Sequence, residues 1–332
     1  MGNASLQSNS TVLKILRLLA AGGWCSGEEL GRVLGISRAA VSKQIKQLGG
    51  FDLQIESARG RGYRLERPLD LLSEEALLAF IDESRGKNIG AVHLFPNVGS
   101  TNAYLLDHIR QDVDCHGHIC LAEQQSAGRG RRGRVWHSPF AQNIYLSIVW
   151  SFSGGVSALE GLSLAVGVAV ARVLKRVGVG GFGLKWPNDI LVGDRKLGGV
   201  LIELAGDLSG ECFAVVGVGL NVNMLSVSET VDQPWVSLQS LGYSVGRNEL
   251  SGRLVNELLG MLSDYEQKGF TYYQEEWNGL NAHQGRQVAL ISGKSKIVGD
   301  MLGVDTGGAV MLAVDGESRS FVGGELSLRL ES

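Results

Sequence analysis

The chain has 332 residues, a formal net charge of −3, 44% hydrophobic and 20% charged residues, a composition that suits an ordinary soluble globular protein of two or three domains. No apolar run approaches the ~18 residues of a membrane span, and the start has no basic region followed by an apolar signal core, so a cytoplasmic protein without membrane contact is expected. Cys25, Cys115, Cys120 and Cys212 form no C-x-x-C pair, which predicts reduced thiols.

The charge is unevenly spread. Residues 1–68 carry ten Lys/Arg against five Asp/Glu, a net of +5, leaving −8 for the remainder; the N-terminal part is therefore the one suited to a polyanion. Residues 1–10 are polar and unpatterned. Val12, Ile15, Leu16 and Leu19 then recur at helical spacing. Ser26-Gly27-Glu28-Glu29 reads as a capping box opening a second helix through Leu30, Val33 and Leu34, which Gly35 ends. Ser37 caps a third helix whose Val41, Ile45 and Leu48 face inward, while Arg38, Ala39, Ser42, Lys43 and Lys46 share the outer face. Leu53/Ile55 and Tyr63/Leu65 alternate on two short strands around a turn holding Arg59 and Arg61. Two helices joined by a tight glycine turn, followed by a basic hairpin, predict a winged helix-turn-helix over residues 1–67, with Arg38, Ser42, Lys43, Lys46, Arg59 and Arg61 toward DNA. The competing reading is a helical packing module with a merely solvated basic face. Arg67 to Asp70 reads as a hinge, and Ser73 caps a helix with Leu77, Leu78 and Ile81.

Residues 91–95 read as a strand. Ser100-Thr101-Asn102 precede a helix with Leu105, Leu106 and Ile109; alone they are an N-cap cluster, although they could offer hydroxyls and an amide to a small polar ligand. Cys115, His116, His118 and Cys120 crowd one stretch, but strand alternation leaves that face without a fourth metal ligand. The strand His118 to Glu123 delivers Gln124, Gln125 and the run Gly128-Arg129-Gly130-Arg131-Arg132-Gly133-Arg134. Three glycines permit close backbone approach and four guanidiniums supply forked donors for phosphate or carboxylate. From Gln124 to Leu159 there is no Asp or Glu, which predicts an external anion as counter-charge. The run matches G-x-G-x-x-G, yet no helix or acidic residue follows as a dinucleotide fold requires, and no Lys-Ser/Thr follows as a P-loop requires. A disordered Arg/Gly nucleic-acid tether is the alternative.

Asn143 to Trp150 is a near-continuously apolar strand, and Leu162 to Val177 a helix. Lys185-Trp186-Pro187-Asn188-Asp189 is a rigid turn in which Asp189 is either a Mg²⁺ ligand or an ordinary turn acid; Lys196, taken alone, is a solvated lysine. The strand Ala214 to Val222 contains Gly217 and Gly219, where a ligand or another backbone comes close. Helices over 249–266 and 272–278 follow. After Ala282 come short strands at 287–291, 295–298, 301–304, 310–314 and Phe321, a small all-β barrel. The expected fold class is α+β, with a central domain over 70–282 and a C-terminal one over 283–332.

The succession of the arginine run 128–134, Lys-Trp-Pro-Asn-Asp at 185–189, Asp-Arg-Lys-Leu-Gly-Gly at 194–199 and Gly-Gly-Glu-Leu-Ser-Leu-Arg at 323–329 resembles the biotin protein ligase family. The helix-turn-helix in front makes it similar to the bifunctional members that also repress biotin-synthesis genes. The resemblance implies a class II synthetase-like mixed α/β central domain and an SH3-like C-terminal barrel. It also implies biotin contacts at Ser100, Thr101, Asn102, Gln125, Gly128, Arg129, Gly130, Arg131, Tyr145, Lys196, Gly199 and Gly217, and ATP contacts at Arg134, Trp136, Lys185, Asn188, Asp189 and Asn221. Lys196, Arg131 and Asp189 are the implied catalytic residues, with Asp189 as Mg²⁺ ligand. The implied chemistry activates biotin with ATP to biotinyl-5′-AMP and transfers it to a lysine of the carboxyl carrier domain of acetyl-CoA carboxylase. The adenylate-bound homodimer then sits on operator DNA as repressor. The alternatives are a ligand-sensing transcription factor without ligase activity and a lipoate ligase.

Overall fold

The computed structural model describes residues 11–331 apart from 52, 112–113, 156–158, 207–211, 227–230, 232, 294 and 324–325. The unpatterned residues 1–10, and Gly324 and Glu325 of the C-terminal motif, lie outside the described residues.

Three helices and a hairpin open the chain: α1 (Thr11–Leu19), α2 (Gly27–Leu34), α3 (Arg38–Leu48), β1 (Ile55–Ala58) and β2 (Gly62–Leu65). Single side chains set their boundaries. Ser26 Oγ accepts from Glu29 N at 3.0 Å and Ser37 Oγ from Ala40 N at 3.2 Å, each satisfying a donor that the first turn leaves free. Gly35 ends α2 with φ +66°, a left-handed conformation suited to glycine. Val12, Ile15, Leu16 and Leu19 pack against Leu30, Val41, Ile45 and Leu48 in one apolar cluster. Leu53 precedes the hairpin instead of joining it. The hairpin is braced by Trp24, whose ring lies 4.6 Å from the Arg61 guanidinium and 4.9 Å from that of Arg64, a pair of cation–π contacts.

The helical cluster also contains Phe140 and Ala141, each 3% exposed, from far along the chain. The Phe140 ring stands 4.9 Å from that of Phe51. The segment expected as a hinge is fastened at both ends. Leu69 N donates to Ala20 O at 2.9 Å, and Asp70 accepts from the Arg247 backbone N and, at 2.9 Å, from Asn248 Nδ2. Arg247 is fully buried; it donates to Asp70 O at 2.6 Å and to Asn143 O at 2.9 and 3.1 Å. Its charge is balanced by Glu123 at 2.8 Å, an ion pair without hydrogen-bond alignment, and the other Glu123 oxygen accepts from Leu72 N.

The middle of the chain builds, in order, α4 (Glu74–Leu78), α5 (Glu83–Gly86), β3 (Val92–Phe95), α6 (Thr101–Arg110), β4 (Ile119–Ala122), β5 (Ile144–Phe152), α7 (Leu162–Arg176), β6 (Phe182–Lys185), β7 (Asp189–Val192), β8 (Arg195–Gly206), β9 (Cys212–Leu220), α8 (Arg247–Lys268) and α9 (Thr271–Gly279). The strands form one mixed sheet ordered β3-β4-β5-β9-β8-β7-β6. Among these strands only β3 and β4, joined through α6, pair in parallel; the other neighbours are antiparallel, through tight turns between β6, β7 and β8 and through longer connections between β4 and β5 and between β5 and β9. Strand alternation distributes the two faces. Cys120, Val149 and Val215 point toward Leu105 and Leu106 of α6, whereas Ile119, Leu121, Ile148 and Val216 join the larger core with α7 and α8. Burial on both faces explains the near-continuous apolar run of β5, broken only by Ser147 and Ser151. Among the described residues no helix is long and apolar enough to cross a membrane.

The last strands are β10 (Gln287–Ser292), β11 (Ser295–Val304), β12 (Val310–Val314), β13 (Glu317–Phe321) and β14 (Ser327–Leu330), antiparallel in the order β13-β12-β11-β10-β14. Among the described residues no ladder joins β13 to β14, so the sheet is open. Two strands expected at 295–298 and 301–304 are one. Gly299 does not turn the chain there: a Cβ on it would stand 2.5 Å from Ala313 O, so the glycine admits the neighbouring strand. A register shift between Met301 and Gly303 bends β11 further along. β14 has no counterpart in the sequence reading.

Candidate active site

One cleft of about 810 Å³ gathers nearly all the candidate residues. The arginine run forms one wall. Ala127 N donates to Gly99 O at 2.7 Å, and the run then folds back on itself, with Gly130 N to Arg134 O at 2.7 Å and Trp136 N to Gly128 O at 2.9 Å. At its tip Arg132 and Gly133 both take left-handed φ, +60° and +70°. The expectation of a purely external counter-charge is corrected at Arg129, whose guanidinium meets Glu203 of β8 at 2.9 Å. That acid lies 74 residues away in sequence, outside any local window. Burial holds the Arg131 guanidinium below its ordinary pKa, opposed by Asp189 and reinforced by Arg132.

The first turn of α6 forms the inner end. Ser100 caps it, and Gln125 Oε1 accepts from Thr101 N at 2.9 Å. Asn102 donates to Glu203 at 2.9 Å and to Leu201 O at 3.2 Å, and Ser147 Oγ lies 2.7 Å from Thr101 Oγ1 and 2.6 Å from Asn102 Oδ1. What comes close to the β9 glycines belongs to this chain. A Cβ on Gly217 would meet Asn102 Oδ1 at 2.4 Å, and one on Gly219 would meet the Trp136 ring at 2.6 Å. Tyr145, 1% exposed, donates to Pro139 O at 3.0 Å, and its burial pushes the phenol up. This end offers hydroxyls, amides and backbone donors around a small space, the lining that fixes a compact polar ligand by orientation.

The other end carries charge. The tight β6–β7 turn sets Lys185 opposite Asp189, and Trp186 anchors it through Nε1 to Gly308 O at 3.0 Å. Asp189 Oδ1 meets Lys196 Nζ at 2.6 Å, Asn188 Nδ2 donates to Val200 O at 2.6 Å, and Lys196 Nζ stands 5.4 Å from the centre of the Trp136 ring. The Trp136 indole N–H is buried without a partner. Burial pulls Lys185 below the ordinary lysine range; Asp189 opposes this, while Lys196, Arg134 and Arg329 add to it. Desolvated cations of this kind attract an anion that brings its own charge.

Gly199 and Gly130 also line the cleft, whereas Gly128 and Asn221 are not among its walls. Asn221 lies beneath, donating to Lys196 O at 3.3 Å and Val236 O at 3.1 Å, and so steadies the backbone that carries Lys196. Sequence reasoning missed Ser147, Glu203, His283 and Arg329. None of them falls in a motif that advertises chemistry, except Arg329 at the end of the C-terminal one.

On the N-terminal body Arg38, Lys43, Lys46, Arg59 and Arg61 are exposed and Ser42 is half-buried. Among the described residues no cluster of three or more His, Cys, Asp or Glu is arranged for a metal ion. His116 instead bonds Ser151 at 2.7 Å, His118 lies 3.2 Å from His93, and burial pushes the Cys120 thiol up.

A family model described as the biotin/lipoate A/B protein ligase family matches residues 94–223, and one described as an HTH domain matches residues 11–64. The bifunctional ligase/repressor BirA of Escherichia coli strain K12 is 41% identical over 325 residues, covering 98% of this chain and 99% of that protein. The biotin--[acetyl-CoA-carboxylase] ligase of Mycobacterium tuberculosis is 34% identical over 261 residues, covering 77% and 94%. Among solved structures, the biotin protein ligase from Aquifex aeolicus in complex with biotin and ATP is 26% identical, with a TM-score of 0.63, and covers 73% of this chain and 100% of that one. Likeness of this extent, running through both the helix-turn-helix and the arginine-walled cleft, means that the chain belongs to the biotin protein ligase family, in its bifunctional ligase/repressor branch.

Proposed function

We propose that the chain activates biotin with ATP to biotinyl-5′-AMP, transfers the acyl group to a lysine of a carboxyl carrier domain, and represses biotin-synthesis genes while the adenylate stays bound. The observation that carries the reading is the division of one cleft into a neutral, hydrogen-bonding end at Ser100–Asn102 and a cationic end at Lys185 and Lys196. Biotin, with Ser100, Thr101, Asn102, Gln125, Tyr145 and Gly217 around its polar ring, leaves its carboxylate near Lys196. The triphosphate lies by Arg134 and Lys185, and adenine by Trp136. Lys196 and Arg131 neutralise charge that develops between carboxylate and α-phosphate, so catalysis is orientation and electrostatics without a protein nucleophile.

Asp189, beside Asn188, is the carboxylate that would hold a Mg²⁺ ion accompanying the nucleotide, and such an ion would shield the phosphate charge. Such an ion ordinarily takes one or two carboxylates plus phosphates, which fits a site with no larger acidic cluster among the described residues. The C-terminal sheet is read as an SH3-like barrel that brings Arg329 of β14 to the cleft. Domain boundaries near residues 67–70 and 282–283 suit these roles, and four free thiols suit work in the cytoplasm.

For repression, the exposed Arg132, Arg134 and Val135 form the part of the loop that a bound adenylate would order into a two-fold interface. Dimerisation would set two α3 helices against two operator half-sites, and ligation, by consuming the adenylate, would relieve repression through mass action. Incubation with biotin, MgATP and a carrier domain tests the ligase reading: mass spectrometry should find biotin on one acceptor lysine. An unlabelled acceptor would leave a sensor without chemistry, and preferred labelling with lipoate in a parallel reaction would change the acyl group. Sedimentation of the apo and adenylate-bound protein tests the second role; identical association constants would end it.

A further inference from the structure

His283 stands in the short run between α9 and the C-terminal sheet. Leu184 N donates to Leu280 O at 2.7 Å and Ala282 N to Leu184 O at 2.9 Å, so this run lies along the outer edge of β6 and delivers His283 to the cationic end of the cleft. The side chain is 2% exposed, and its Nδ1 is buried without a well-aligned hydrogen-bond partner. A buried polar atom left unpaired in this way calls for a reason.

The charges around the ring come from each neighbouring element. Lys185 of β6 and Arg286 of its own segment oppose a positive ring. Asp194, in the β7–β8 turn and 3.4 Å from Arg286, favours one, as does the Ala282 carbonyl. Arg134 and Arg329 crowd Lys185 from the loop and from β14. Burial first, and Lys185 second, hold the imidazole below the ordinary histidine range, so it is neutral in the empty cleft at physiological pH. A polyphosphate arriving beside Lys185 reverses that balance, because its charge outweighs the local cations and its oxygens accept hydrogen bonds.

We propose that His283 is a nucleotide-contacting residue, which takes up a proton as MgATP enters the Lys185 end and, as imidazolium, donates a hydrogen bond to the phosphates that depart as pyrophosphate. The inference deepens the ligase reading and rests on it. The ring thereby supplies a cation only when the anion is present, whereas a fourth permanent charge beside Lys185, Arg134 and Arg329 would repel them in the empty site.

Isothermal titration of the full-length protein, with biotin present, against the magnesium complex of a non-hydrolysable ATP analogue tests this in Pipes and Tris buffers. Their different ionisation heats reveal proton uptake. Uptake is expected in the unmodified protein and its loss in His283→Gln and in His283→Phe, which preserves the ring volume. In pyrophosphate exchange, KM for MgATP should rise with pH by up to about tenfold per unit between the free and bound pKa values, and the rise should flatten in both variants. Lys185→Ala serves as the control for the site itself. Nucleotide binding without uptake, or uptake that persists in folded variants, overturns the role of His283 and leaves the ligase reading standing. No nucleotide binding, or binding that Lys185→Ala leaves unchanged, removes the reading on which the proposal rests and the proposal with it.

Discussion

Replacing Arg247 with methionine keeps the reach of the side chain and deletes its charge. In the native protein the guanidinium is fully buried, donates to the Asp70 and Asn143 carbonyls and balances Glu123. The variant leaves the Glu123 carboxylate uncompensated in the interior, and a buried pair broken from one side costs about 3–5 kcal/mol. The two carbonyls lose partners as well, but neighbouring losses do not add. Against a total stability of roughly 5–15 kcal/mol for a domain, that is a large fraction. At about 2–4 °C per kcal/mol for a body of this size, the melting temperature should fall by roughly 6–20 °C. Glu123→Gln in the same background removes the stranded charge, so a double-mutant cycle by thermal and urea melts should return a coupling of about 1–3 kcal/mol. Because Glu123 lies two residues before Gln125, weaker biotin binding should accompany the loss of stability. A single-variant loss below about 1 kcal/mol, or strict additivity in the cycle, would refute the view that this pair holds the linker, β5 and α8 together.

Lys196→Ala should lower pyrophosphate exchange by about 10²–10³-fold, the size of effect expected when one charge-stabilising donor is removed, in a protein that still folds although Asp189 loses its partner; near-normal turnover would sink the assignment. Arg131→Gly should release biotinyl-5′-AMP from the cleft, read as biotin on bystander lysines of added albumin, and labelling confined to the carrier domain would count against it. Removing residues 1–67 should abolish operator binding, which in the full chain weakens steeply with salt as phosphate contacts are screened. It also uncovers Phe140 and Ala141, so ligation should persist at a reduced rate; a truncated protein that still bound operator would refute the domain assignment. Burial and neighbouring imidazoles hold His93 and His118 below the ordinary histidine range. Depressed folded values mean that their contribution is present above about pH 6.5 and is lost as pH falls through the folded pKa, so melting temperature should drop toward pH 5 and do so less in His93→Gln/His118→Gln.

The helices of the N-terminal body were legible because their ends depend on single residues. Ser26, Gly35 and Ser37 act within four positions of themselves. The apolar run of β5 announced a strand buried on both faces for the same local reason. Pairings across the fold were not legible. Glu203 neutralises Arg129 only because β8 lies beside β9 and under the loop, and no local stretch reveals that; counting acids between 124 and 159 therefore misjudged Arg129. Gly299 misled for a related reason: glycine marks either a turn or a close neighbour, and only the Ala313 carbonyl decides between them. Among site residues, motif order found those that touch the cleft, but Gly128 and Asn221 proved to stand behind its surface. His283 carried no signal at all, since a lone histidine after a helix is usually a matter of packing.

The placement of Phe140 bears on how such chains can be recombined. Four residues after Trp136, the loop segment sets Phe140 against Phe51 and into the apolar cluster that α1, α2 and α3 share. A graft of another relative's DNA-reading head onto this cleft would therefore inherit a socket shaped for a different plug, and would fold well only if the residue at 51 and its neighbours travelled with it. Natural drift faces the same constraint. A change of operator specificity on the exposed side of α3 is unencumbered, whereas a change of size at Val41, Ile45 or Phe51 reaches the loop that walls the ligand cleft, so mutations in the two halves should be correlated at these inner positions and independent at the outer ones.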